Sequence, residues 1–141
     1  MRKALVVGVD DYEQCPLYGC CNDADDIANI LSRNEDGSPN FSVRLEKNVM
    51  TKGILRKLIE ECFSGDSDVA LFYFSGHGHI DSVGGYLVTP DFSEYDYGVT
   101  LQDVLSIANN SKCKEKFIIL DSCYSGFMGR INSKGQSTAV I

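Results

Sequence analysis

The sequence predicts an α/β fold: a three-layer α-β-α arrangement, its mostly parallel sheet covered by helices on both faces, with a small hairpin after the strand that ends at His77. Three observations predict it. Strand-like apolar runs alternate with segments of helical periodicity in the order β-α-β-α-β-α-β. The runs Lys3 to Val9, Val69 to Phe74 and Phe117 to Leu120 are nearly continuous rather than alternating, as in strands buried on both faces of a parallel sheet. Two of these runs stop abruptly at a reactive side chain near glycine, His77 in one case and Cys123 in the other.

Taken in order, Lys3 to Val9 is the first strand, and Asp10, Asp11 and Tyr12 begin a loop that holds Pro16 and Gly19. A helix then starts at Asn22 or Asp23, with Ala24, Ile27, Ala28, Ile30 and Leu31 on its buried side. Asp25 and Asp26 suit its positive N-terminal end. A turn-rich loop, 34–40, precedes a second strand, Phe41 to Leu45. Thr51 caps a second helix with Ile54, Leu55, Leu58, Ile59 and Cys62 at helical spacing, and Gly65 to Asp68 closes it. After the strand ending at His77, the stretch from Gly84 to Pro90 forms part of a small hairpin, and Asp91 to Tyr97 an acidic, aromatic loop. Thr100 and Asp103 form a capping box, with Asp where Glu or Gln is usual, for a third helix through about Ala108. Lys112 to Lys116 leads into the strand before Cys123. The polar, glycine-bearing stretch 127–136 is a loop, and Ser137 to Ile141 opens a further buried strand. A strand cut short there would leave a sheet edge unpaired, so the expectation is one domain, 1–141, that is a fragment or one subunit of a larger domain.

Composition bounds the function. The formal net charge of −7 excludes nucleic acid as the main partner, because phosphate contacts need a basic face. No apolar run reaches the roughly 20 residues that cross a bilayer. The N-terminal apolar segment is too short for an export signal and runs into acid. A cytoplasmic protein with free thiols is therefore expected, and with no Cys-x-x-Cys pair among the six cysteines, a zinc site is not.

The chemistry sits at strand ends. In an open α/β sheet, ligands bind outside the carboxyl ends of the strands. Neighbouring strands ending at His77 and Cys123 would deliver an imidazole and a thiol to one crevice, the makings of an activated cysteine nucleophile. Gly76 and Gly78 flank the histidine and permit sharp turns and close approach, and the N–H groups of Gly78 and Cys123 would face a developing oxyanion. His79, two residues on, is the weaker candidate. Asp10, Asp23 and Asp121 are carboxylates at the same ends. Like charges gathered there need a cation, which suits a lysine or arginine side chain; helix capping by Asp23 and a structural hydrogen bond to Asp121 are the alternatives.

Five stretches in order carry a resemblance: Ala4-Leu-Val-Val-Gly-Val-Asp10, Leu17-x-Gly-Cys-x-Asn-Asp-Ala24, Phe72-Tyr-Phe-Ser-Gly-His-Gly78, Tyr86-Leu-Val-Thr-Pro-Asp91 and Asp121-Ser-Cys-Tyr-Ser-Gly126. Together the chain resembles the caspase-like cysteine peptidases, in their metacaspase and paracaspase branch with its bacterial relatives. The resemblance implies a caspase-like fold and a cysteine endopeptidase with His77 and Cys123 as its dyad and Gly78 in its oxyanion hole. It implies a pocket from Cys20, Asp23 and Asp121 for a basic residue before the scissile bond, hence cleavage of protein or peptide substrates after Arg or Lys. Self-processing would fall at Arg130 or Lys134. It further implies a partner in the small-subunit portion, a regulatory or recruiting protein, and activation from a zymogen. The chemistry needs no cofactor. Calcium, which many relatives bind, would use Asp91, Asp96 and Asp103. Two rival readings are a catalytically silent caspase-like signalling or assembly module, and a phosphoacceptor receiver domain. The presence of both His77 and Cys123 opposes the first. The Ser-Gly-His-Gly turn, where a receiver needs an aspartate, opposes the second.

Overall fold

The computed structural model describes residues 1–122 and 137–141. Among them the chain runs β1 (Arg2–Gly8), α1 (Cys20–Ser32), β2 (Ser42–Lys47), α2 (Lys52–Cys62), β3 (Val69–Ser75), β4 (Gly78–Ile80), β5 (Gly85–Ser93), β6 (Asp96–Thr100), α3 (Leu101–Asn109), β7 (Glu115–Asp121) and β8 (Ser137–Val140). Five strands form one parallel sheet in the order β2-β1-β3-β7-β8. The remaining three form a small antiparallel sheet, β4-β5-β6.

The period of two along each strand sorts the core into two layers. Leu5 and Val7 of β1, with Val9 just beyond its end, pack with Leu55 and Ile59 of α2 and Val104 of α3. The intervening Ala4 and Val6 pack with Ala24 and Ala28 of α1. Hence α1 covers one face and α2 with α3 the other, and β1 and β3 read as unbroken apolar runs. The handedness of parallel crossovers explains the split. The chain winds from β1 outward to β2, then turns back to β3 and on to β7, so the later helices cross the opposite face.

Local capping sets two helices. Thr51 Oγ1 accepts from Ile54 N at 3.2 Å, and Thr100 Oγ1 from Asp103 N at 3.0 Å. The first helix departs from expectation. It begins at Cys20, not at Asn22 or Asp23, because its cap comes from another element: Asp10 accepts from the N–H groups of Cys20 and Cys21 at 2.9 and 3.1 Å. Ile30, expected inside, is 68% exposed, since the small contact face of α1 is made by Ala24 and Ala28.

The stretch 91–97 is not a loop. Strand β5 continues to Ser93, a two-residue turn at Glu94 and Tyr95 follows, and Asp96 pairs back with Ser93. Tyr95 takes a left-handed φ of 65°. The turn lacks the Asn-Gly or Asp-Gly dipeptide that usually marks a tight hairpin, so the sequence hides it. The last strand, β8, pairs in parallel with β7 from Ser137 opposite Glu115 to Val140 opposite Ile118.

Candidate active site

The sheet order puts a topological switch point between β1 and β3, since β2 lies to one side of β1 and the later strands to the other. Two loops leave that point: 9–19 after β1, and the short turn through Gly76 and His77 after β3. Strand β7 lies on the far side of β3, in register from Val69 opposite Glu115 to Ser75 opposite Asp121. His77 and Cys123 each follow the last pair of that register by two positions. Cys123, Arg130 and Lys134 themselves lie outside the described residues.

His77 is tightly held. Its Nε2 lies 2.8 Å from the carbonyl oxygen of Cys15. A carbonyl only accepts, so Nε2 carries the proton and the neutral ring keeps Nδ1 as its acceptor. The Tyr12 ring meets the imidazole edge-on, with centroids 4.5 Å apart. The His77 N–H donates to the Tyr12 hydroxyl at 3.1 Å. The sequence did not single out Tyr12 or Cys15. Tyr12 reads as a loop residue, although it is 1% exposed, and Cys15 acts through its main chain, which no side-chain pattern reveals. An aromatic side chain in a polar loop straight after a buried strand is the one available signal.

Gly76 is required for space. A Cβ there would fall 2.7 Å from the Tyr12 hydroxyl and 2.8 Å from Phe74 Cζ. Gly78 pairs with Leu87 one step beyond His77 and Val88, where Val88 N–H donates to His77 O at 2.9 Å. Hydrogen-bonded and non-bonded pairs alternate in antiparallel ladders, so the N–H of Gly78 points away from β5. His79 is engaged elsewhere, stacked on Tyr97 at 3.9 Å and near Tyr86 in the small sheet.

The carboxylates divide. Asp121, exposed at the end of β7, accepts from the Tyr73 hydroxyl at 3.3 Å. Burial pushes the Tyr73 phenol up to about 12; the negative charge of Asp121, and less strongly that of Asp23, push the same way. Burial also raises the Cys20 thiol, against a hydrogen bond with Ser75, and the charges of Asp10 and Asp23 add to the rise. Cys20, Asp23, Tyr73, Ser75 and Asp121 therefore share one negative corner at the carboxyl ends of β3 and β7. Asp10 does not join it as a free wall. Both its oxygens are spent on α1, and although burial opposes its charge, the N–H groups of Cys21 and Cys20 hold its carboxyl below the usual range. Burial pushes Cys21 to about 11 and Cys62 to about 12, so neither supplies a thiolate near neutral pH.

The three residues expected to hold calcium are otherwise occupied. Asp91 accepts from Lys52 N at the start of α2 and from Thr89 Oγ1; Asp96 pairs with Lys52 Nζ, and Asp103 with Arg56 at 3.3 Å. Calcium takes six to eight oxygens, and among the described residues no three His, Cys, Asp or Glu side chains converge on one point. Among the described residues, no helix is long and apolar enough to cross a membrane.

In comparison with protein families, the family model described as Caspase domain (Peptidase_C14) matches residues 1–139, nearly the whole chain. No curated protein matches it.

Proposed function

The chain belongs to the caspase domain family of cysteine peptidases, and on that footing we propose that it is a cysteine endopeptidase of the metacaspase and paracaspase branch, cutting proteins after arginine or lysine. The observation that carries this reading is the imidazole at the switch point between β1 and β3. The Cys15 carbonyl accepts a hydrogen bond from Nε2–H and leaves Nδ1 as a base, two residues beyond β3, whose parallel neighbour β7 ends two residues before Cys123 in the sequence.

In the proposed reaction, His77 Nδ1 takes the proton of the Cys123 thiol, and the sulfur attacks the substrate carbonyl. The N–H groups of Gly78 and Cys123 hold the oxyanion. The imidazolium returns its proton to the leaving amine as the C–N bond breaks, giving a thioester. Water, deprotonated by His77, then attacks the thioester carbonyl; the C–S bond breaks and the thiol is restored. Throughout, the Cys15 carbonyl steadies the imidazolium. The corner formed by Cys20, Asp23 and Asp121 suits a guanidinium or ammonium group and would repel an aspartate. Arg130 and Lys134 have the residue type that this corner accepts and would be cut in self-processing. A smaller C-terminal portion completing the substrate groove, and a protein that recruits or activates the enzyme, belong to the same proposal.

The test is hydrolysis of a reporter peptide set that differs only in the residue before the scissile bond. Arginyl and lysyl peptides are cut, the aspartyl peptide is not, and Cys123→Ala abolishes cleavage; mass spectrometry of the same samples shows cuts after Arg130 or Lys134. Activity that survives Cys123→Ala, or a preference for aspartate, would overturn the reading.

A further inference from the structure

We propose that Tyr12 is the positioning residue for His77: its hydroxyl replaces one rung of the β4–β5 ladder and so fixes where the imidazole is held. This rests on the peptidase reading above. The register Gly78 with Leu87, His79 with Tyr86 and Ile80 with Gly85 makes His77 and Val88 the next pair. Two residues of a hydrogen-bonded antiparallel pair exchange both N–H···O bonds directly. Here only one bond is direct, Val88 N–H to His77 O at 2.9 Å. The other is split: His77 N–H donates to the Tyr12 hydroxyl at 3.1 Å, and that hydroxyl donates to Val88 O at 2.8 Å. One oxygen atom is thus inserted into the ladder, and the chain at His77 is held off β5.

The same loop grips the residue twice more. The Tyr12 ring abuts the imidazole edge-on, and three positions further along Cys15 accepts from Nε2 at 2.8 Å. Main chain, ring edge and ring nitrogen are therefore all held by loop 9–19. The hydroxyl is shielded from competing water, since Tyr12 is buried beneath that loop. Burial keeps the phenol protonated well above its ordinary range, although the His77 N–H works against this, so it donates and accepts at any physiological pH. Gly76 admits the hydroxyl, because a Cβ there would lie 2.7 Å from it. Without the hydroxyl, the His77 N–H and the Val88 carbonyl re-pair only if the backbone at His77 closes on β5, away from Cys15.

The test compares wild type, Tyr12→Phe and Phe63→Leu, the last a buried change at the far end of α2, chosen to lower Tm comparably. On an arginyl reporter, Tyr12→Phe is expected to lower kcat about tenfold to a hundredfold with KM within about twofold, as displaced catalytic groups do; Phe63→Leu keeps the wild-type kcat. In parallel, 15N spectra of the imidazole show His77 as the Nε2–H tautomer in wild type and as a mixture in Tyr12→Phe. A kcat within about twofold of wild type, or a loss no greater than in Phe63→Leu at equal Tm, overturns the proposal. Should Tyr12→Phe fail to fold, Gly76→Ala crowds the hydroxyl without removing it and must give the same pattern; wild-type kcat there overturns the proposal too. If wild type cuts no basic peptide, it is the peptidase reading that has failed, and the spectra still decide this one: an unchanged tautomer in Tyr12→Phe overturns it.

Discussion

Replacing Asp10 with asparagine probes the joint on which the site is built. The Asp10 carboxylate accepts from the N–H groups of Cys20 and Cys21 at 2.9 and 3.1 Å. Its main-chain carbonyl accepts from Tyr12 and Leu17 at 2.9 and 3.0 Å, and its own N–H donates to Asn48 Oδ1 at 2.9 Å. The residue thus caps α1 and folds the loop that brings Tyr12 and Cys15 to His77. Asparagine keeps the shape and the main-chain bonds. Its oxygen accepts from one helix N–H, but its amide nitrogen faces the other, donor against donor. Loss of a cap costs about 1 kcal/mol, and loss of the charge at the positive end of the helix about 1 kcal/mol more, so the expected destabilisation is about 2 kcal/mol. Urea unfolding followed by circular dichroism should show a lower midpoint with an unchanged slope. The sign of the pH dependence follows from the depressed carboxyl. A folded-state value below the ordinary 3.8 means that the carboxylate stabilises above that pH, and that its contribution drains away as pH falls through the folded value. The gap between the two proteins should be constant above about pH 5 and shrink below 3.8. Equal midpoints at neutral pH, or a gap that widens in acid, would refute the assignment of Asp10 as the cap.

Two further substitutions test the packing and the negative corner. Gly8→Ala puts a Cβ 2.5 Å from the Cys20 carbonyl and 2.8 Å from Ala24 Cβ, so α1 must lift from β1 at a cost of about 1–3 kcal/mol; an unchanged Tm would show that the contact is slack. Asp121→Asn removes the charge that helps burial raise the Tyr73 phenol to about 12, so ultraviolet titration should show that tyrosine ionising at lower pH. The same variant should lose about tenfold in kcat/KM on arginyl peptides, the scale of one charge contact, and keep its rate on a peptide with an uncharged residue at that position. Equal losses on both peptides would mean that the charge does not read the substrate.

The sequence alone determined what is local. Two-sided apolar runs marked β1, β3 and β7 because their side chains meet helices on both faces. Thr51 and Thr100 marked the starts of α2 and α3 because each caps its own helix within four residues. The candidate imidazole and thiol stood out because each follows such a run near a glycine, and the motifs around them carried the family. Tertiary structure decided everything whose partner is distant in the chain. The start of α1 depends on Asp10, which the sequence separates from the helix by a whole loop. The exposure of Ile30 depends on which face of α1 the sheet takes. Strand β6 is held by pairing with β5, not by a recognisable turn. The order β2-β1-β3-β7-β8 is set by crossovers that no single segment encodes. The environment of His77 is the sharpest case: a main-chain carbonyl and a buried phenol, from a loop over 60 residues earlier in the chain, meet it through bonds that exist only once the chain has closed on itself.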